Sequence, residues 1–150
     1  MDQQIFFRIQ NSNDVRGAAY ATDTEKQTIS PEIADVICRA FAQVLSEQLG
    51  KAREDLRIGV GHDSRVTADA MAAGCFRGLS DLHCYDCGLI TTPAMFQSTL
   101  LQESDFDGAI MITASHLPSN RNGLKFFTKA GAMDKKTLTR ILELAAGLAE

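Results

Sequence analysis

The sequence is poor in three things, and each shortage removes a class of protein. Cysteine is scarce: Cys38, Cys75, Cys84 and Cys87 are the only four thiols in 150 residues. That is too few to staple a domain of this size, so reduced and mostly buried thiols are expected. Positive charge is not in excess, because 15 Lys and Arg stand against 19 Asp and Glu for a formal net charge of -4. A polyanion is bound by clustered cations on one face, so no nucleic-acid partner is expected. Long apolar runs are absent, and nothing approaches the roughly 20 residues of a membrane span, so no membrane partner is expected either. The opening MDQQIFFRIQ shows no basic stretch followed by an apolar one, and no transit peptide is visible. A cytoplasmic protein is expected, or a plastid one if the parent is plant or algal.

Proline is also rare, at three residues, and there is no Pro/Ser-rich linker, low-complexity tract or internal repeat. Residues 1–150 therefore read as one domain. Its segments alternate between strand-like and helix-like, the pattern of an α/β fold. An apolar strand is predicted at Ile5 to Ile9, followed by the polar loop QNSNDVRG. A long helix is predicted from Ser30 as N-cap and Pro31 at its first position to Gly50 at its end. Leu56 to Val60, Leu82 to Cys87, Gly108 to Thr113 and Leu124 to Thr128 read as further strands. Thr67 to Gly78, Pro93 to Leu101 and a Leu/Ala-rich stretch capped by Asp134 read as helices. The expected architecture is a three-layer α/β/α domain with a mixed, mostly parallel sheet.

Cys84 and Cys87 form a C-x-x-C, but a tetrahedral metal site would need a second ligand pair and none exists. Residues three apart on a strand point to opposite faces, so these thiols are expected to pack into the core.

Ligands of α/β sheets bind beyond the carboxyl ends of the strands. The loops there carry Asp14 and Arg16, then Asp63, Ser64 and Arg65, then Thr91 and Thr92, then the stretch from Thr113 to Lys125. Arginine in several such loops suits an anion, because the guanidinium fork matches phosphate oxygens. The stretch GAIMITASHLPSNRNGLKFF, Gly108 to Phe127, is the most informative. An apolar strand runs into Thr113, Ala114, Ser115 and His116, with Arg121 and Lys125 nearby. Small residues at the end of a rigid strand expose a hydroxyl, and cations close by suit one that carries a phosphoryl group of about -1.5 to -2 charge. No G-x-S-x-G elbow accompanies the serine, so a hydrolase triad is not implied.

TASHLPSNRNGLKFF closely resembles the active-site serine loop of the α-D-phosphohexomutases, the phosphoglucomutase and phosphomannomutase family. Asp14-Val15-Arg16-Gly17, Gly61 to Arg65 and Gly88 to Pro93 resemble the family's D-I-R-G, G-x-D-S-R and G-x-x-x-T-P elements, in the same order. Together they cover nearly the whole chain as the first of the family's four domains.

The resemblance implies an intramolecular phosphotransferase of the isomerase class. Ser115 would carry a phosphoryl group to and from a hexose phosphate substrate, through a hexose 1,6-bisphosphate, with Mg2+ bound to an oxygen of the phosphoserine. Arg16 and Lys125 would assist proton transfer or stabilise the transferring group, and His116 would serve the same centre. Thr113, Arg65 and Arg121 join Arg16 as candidate phosphate-binding residues, with Arg65 expected to organise the loop by ion pairing. The D-G-D-x-D-R metal loop, the sugar loop and the distal-phosphate site belong to the family's other domains and have no counterpart here. The chain is thus expected to work with the remaining domains of a parent protein, and to be inactive alone. Leu117 stands where the family usually has Asn, and Arg121 where an aromatic is common, which bears on substrate preference more than on chemistry. A second reading is a phosphosugar- or anion-binding module of the same fold without turnover.

Overall fold

The computed structural model describes residues 2–149, so Met1 and Glu150 of the expected 1–150 domain lie outside the described residues. Its centre is a seven-stranded mixed sheet in the order β1-β2-β6-β5-β3-β4, with β7 paired to β6. The strands are β1 (Gln10–Asn11), β2 (Asp14–Ala18), β3 (Arg57–His62), β4 (His83–Leu89), β5 (Gly108–Ile112), β6 (Arg121–Thr128) and β7 (Gly131–Ala132). The helices are α1 (Gln4–Arg8), α2 (Pro31–Leu49), α3 (Ala68–Gly78), α4 (Thr92–Ser98) and α5 (Lys135–Leu148). β5, β3 and β4 run parallel, and β6 joins this core antiparallel between β5 and β2. The α/β fold with a parallel core and flanking helices is as the sequence led one to expect.

Topology explains how the helices divide between the faces. The chain steps from β3 outward to β4 through α3, then returns past β3 to β5 through α4. Right-handed crossovers in opposite directions put their helices on opposite faces of a sheet. One face accordingly carries α1, α2, α3 and α5 over a core that includes Phe6, Phe41, Ile110, Leu124, Phe126 and Leu142. The other is covered by α4 alone, over Met95, Ala109, Met111 and Phe127. Cys84 packs against the first core and Cys87 against the second, as their spacing required. Burial pushes the Cys84 thiol up to about 12 and raises Cys87 as well, so both remain neutral packing groups.

The helix ends follow local rules. Ser30 Oγ accepts from Ile33 N at 3.3 Å, and Gly50 closes α2 at φ 59. Asp134 caps α5 through Thr137 N at 2.8 Å. On α3, a Cβ at Gly74 would lie 2.2 Å from Pro31 O, and one at Gly78 would lie 2.3 Å from Asp35 O. Only glycine permits this backbone-to-backbone approach of α2 and α3.

Four local expectations are corrected. Ile5 to Ile9 is not a strand but belongs to α1 and its C-cap. Phe6 and Ile9, three apart, are both buried while Phe7 between them is exposed, a helical pattern rather than an alternating one. Asp14 and Arg16 lie within β2 rather than in a loop after a strand, because Val15 faces the core between them. Asn122 and Gly123 likewise belong to β6, where β2 supplies the pairing that their turn-prone side chains hide from view. α4 also ends earlier than the predicted Leu101, at Ser98, where Ser98 Oγ and Thr99 Oγ1 donate to the carbonyls of Met95 and Phe96.

Candidate functional site

The carboxyl ends of β3 and β5 lie side by side, and the residues that follow them are tied together. Asp63 N donates to Ile112 O at 3.1 Å, and Thr113 N donates to Gly123 O at 3.1 Å. Thr113 Oγ1 donates to Asp63 Oδ2 at 2.7 Å and accepts from Ser115 N at 3.0 Å. Held in this way, Ser115 adopts φ 53, a left-handed conformation that costs a non-glycine residue roughly 1–2 kcal/mol. Its side chain is exposed, as is that of His116. Backbone strain at an exposed hydroxyl beyond a strand end is a mark of functional sites.

The loop from Ser115 to Arg121 is anchored on two sides. On one, Arg65 donates to the carbonyl oxygens of Pro118 (2.7 Å), Arg121 (3.0 Å), Ser115 (3.1 Å) and Leu117 (2.8 Å). On the other, Glu25 accepts from Asn120 Nδ2 at 2.9 Å and forms an ion pair with Arg121. Tyr20 and Ser119 hydroxyls are 3.3 Å apart on the same side. Below the loop, Asn122 is fully buried and donates to Thr67 Oγ1 at 2.9 Å.

Two further cations converge on one acid. Asp14 is 3% exposed and pairs across β2 and β6 with Lys125. Lys125 Nζ donates to Asp14 Oδ2 at 2.7 Å, and Arg16 donates through Nε at 3.1 Å and Nη2 at 3.0 Å. Burial pushes the Asp14 carboxyl up, and the hydrogen bonds from Arg16, Lys125 and Asn11 outweigh it, so its pKa falls below the ordinary aspartate value. One carboxylate holding two cations leaves a local positive charge. Lys125 keeps two N–H groups and Arg16 its Nη1 beyond those given to Asp14.

Register relates this cluster to the serine. Arg16 stands opposite Gly123, and Gly123 O accepts from Thr113 N. A Cβ at Gly123 would lie 2.1 Å from Val15 O and 3.0 Å from Thr113 O, so no side chain can stand between Arg16 and the start of the serine loop. Asp14, Lys125 and Met111 are successive cross-strand partners and share the face of the sheet that α4 covers. Two hollows open there: a cleft of about 450 Å3 walled by Asp63, Ser64, Thr91 and Thr113, and a smaller one of about 230 Å3 walled by Asp14, Lys125 and Phe127. Thr92 at the start of α4 borders both.

The structure thus joins Thr113, Ser115 and Arg65 directly, and Arg16 with Lys125 through Asp14. Arg121, expected as a phosphate contact, is turned to Glu25. Sequence reading missed Glu25, Asn120 and Thr67 as supports, since nothing in a polar segment about 95 residues distant announces such a contact. Among the described residues, no group of three or more His, Cys, Asp or Glu side chains is placed to hold a metal ion, and no helix is long and apolar enough to cross a membrane.

Comparison with known proteins places this geometry. The family described as phosphoglucomutase/phosphomannomutase, alpha/beta/alpha domain I, matches residues 8–149. A phosphoglucosamine mutase from Caldanaerobacter subterraneus subsp. tengcongensis is 36% identical over 126 residues, covering 83% of this chain and 26% of the relative. One from Pediococcus pentosaceus is 33% identical over 122 residues, covering 80% of this chain and 25% of the relative. The chain therefore spans about a quarter of the length of these curated relatives. Among solved structures, a phosphoglucomutase/phosphomannomutase family protein from Burkholderia thailandensis superposes with a TM-score of 0.78 at 22% identity, over 99% of this chain and 31% of that one. At that identity the match speaks for the fold.

Proposed function

The chain belongs to the phosphoglucomutase/phosphomannomutase family, and from that membership we propose that it is the phosphoserine-bearing first domain of a longer phosphohexomutase. Ser115 would be the residue phosphorylated. Its phosphoryl group would pass to the free hydroxyl of a hexose monophosphate, the P–O bond to Ser115 breaking as the bond to the sugar oxygen forms. The resulting hexose 1,6-bisphosphate would turn around and return its other phosphoryl group to Ser115, releasing the isomeric monophosphate. The observation that carries this reading is the exposed Ser115 hydroxyl at φ 53, beside a strand pair bearing Arg16 and Lys125 around one buried carboxylate.

Arg16 and Lys125 would bring their remaining N–H groups to the transferring phosphoryl group, where fixed positive charge counts most. His116, next to the serine and exposed, would relay the proton of the sugar hydroxyl. Thr113 would fix the serine backbone. Magnesium would neutralise charge on the phosphoryl group as it moves between oxygens. The described residues do not build its site by themselves. This chain would contribute an oxygen of the Ser115 phosphoryl group, and the parent's other domains the remaining ligands.

Two measurements test the proposal. Intact mass of the full-length parent after incubation with glucose, mannose or glucosamine 1,6-bisphosphate should reveal one added phosphoryl group, mapped to Ser115. No phosphoserine with any of the three would count decisively against it. The glucosamine compound is included because the curated relatives carry that activity in their names. In the full-length parent, Ser115→Ala should abolish mutase turnover while the protein stays folded, and substantial residual turnover would sink the assignment.

A further inference from the structure

Resting on the phosphoserine reading, we propose that Arg65 is a positioning residue: it sets the backbone of the Ser115 loop and takes no part in holding phosphate. An arginine side chain has five N–H donors and no acceptor. In Arg65, Nη1 serves the carbonyls of Pro118 and Arg121, and Nη2 those of Ser115 and Leu117. The fifth, on Nε, is buried and ion-paired with Asp63 Oδ2 at 3.4 Å without a hydrogen bond. Four of the five donors are thereby bonded to carbonyl oxygens of the loop, the fifth is buried beside Asp63, and the side chain is only 12% exposed. A phosphate could recruit Arg65 only by breaking the loop that presents the serine.

The loop needs such a clamp. Four carbonyl oxygens drawn to one point repel one another, and only a delocalised cation with a planar fan of donors can satisfy them together. Ser115 is held in a sparsely populated conformation, which persists only where its surroundings over-determine it. Here both flanking peptide planes are fixed, the Ser115 N–H by Thr113 Oγ1 and the Ser115 carbonyl by Arg65. Asp63 couples the two supports, accepting from Thr113 Oγ1 through Oδ2 and from Arg65 N through Oδ1 at 3.2 Å.

Arg65→Lys tests this because it keeps the charge and removes the fan. In the 150-residue chain, amide hydrogen exchange at Leu117 and Arg121, whose N–H groups bond within the loop, should quicken at least about tenfold. Exchange at Ile110 in β5 should not change. In the full-length parent, kcat should fall about 100-fold, the cost of a misplaced reacting group, with KM for the hexose phosphate unchanged. Wild-type exchange and kcat in Arg65→Lys, or a raised KM with kcat kept, would overturn the proposal, since the latter marks a lost phosphate contact. If Arg65→Lys does not fold, the wild-type chain still decides: inorganic phosphate should leave the NMR resonance of the Arg65 Nε–H in place, and its displacement would refute the clamp. A parent without mutase turnover would fail the functional reading and leave the exchange experiment as an independent judge of Arg65.

Discussion

Phe126 and Phe127 are neighbours on β6, yet they belong to different parts of the molecule. Phe126 is 1% exposed and lies in the large core, its ring 4.9 Å from that of Phe41 on α2. Phe127 is 8% exposed on the other face, 5.7 Å from Phe96, and walls the small hollow beside Lys125. The first face is closed by four helices. The second is covered by one short helix, and it carries Asp14, Arg16 and Lys125, next to the strand end that presents Ser115. Stability is concentrated where the sheet is thickly covered, and the candidate chemistry where it is left open.

Substitutions at these two faces should separate the properties. Phe126→Ala should cost about 4 kcal/mol, because the packed core cannot collapse around the cavity. Phe127→Ala should cost no more than about 3 kcal/mol, since it borders an existing hollow. Equal losses in urea melts would erase the distinction between the faces.

Next in size is Asp14→Asn, which strands Arg16 and Lys125 without their shared partner and should cost about 2 kcal/mol at neutral pH, the two cations being partly solvated. It should also change the acid response. The Asp14 pKa is depressed by folding, so its contribution is fully present above its unfolded value of about 3.9 and is lost as pH falls through the lower folded value. The wild-type chain should therefore lose stability below about pH 4 more steeply than Asp14→Asn. Parallel acid limbs would show that Asp14 is not held by its cations.

The smallest effect is the most diagnostic of strain. Ser115→Gly should raise stability by about 0.5 kcal/mol, as glycine accepts the left-handed conformation and gives back part of the gain through a freer unfolded chain. A loss would mean that the Ser115 side chain contributes contacts that stabilise the loop.

What could be read in advance follows from range. α2 announced itself through Ser30, Pro31 and Gly50, and β5 through its apolar run, because caps and burial on both faces act on adjacent residues. The serine loop was legible because Thr113, Ser115, His116 and Lys125 lie within one short stretch. Ile5 to Ile9 misled because five apolar-rich residues fit either period until α5 supplies the surface they pack on. The pairing of Arg121 with Glu25 was not legible because Glu25 is far away in the chain.

The sequence by itself therefore determined the α/β class, the main helix ends, the opposite-facing thiols and the identity of the serine loop. Tertiary structure decided which face stays open, through the reversed crossover of α4. It decided that Asp14 gathers Arg16 and Lys125, through the β2–β6 register. It also decided that Arg65 turns to four carbonyl groups of a loop about 50 residues away. The reason is that side-chain spacing records local preferences, whereas register and crossover direction emerge only when distant segments share one sheet.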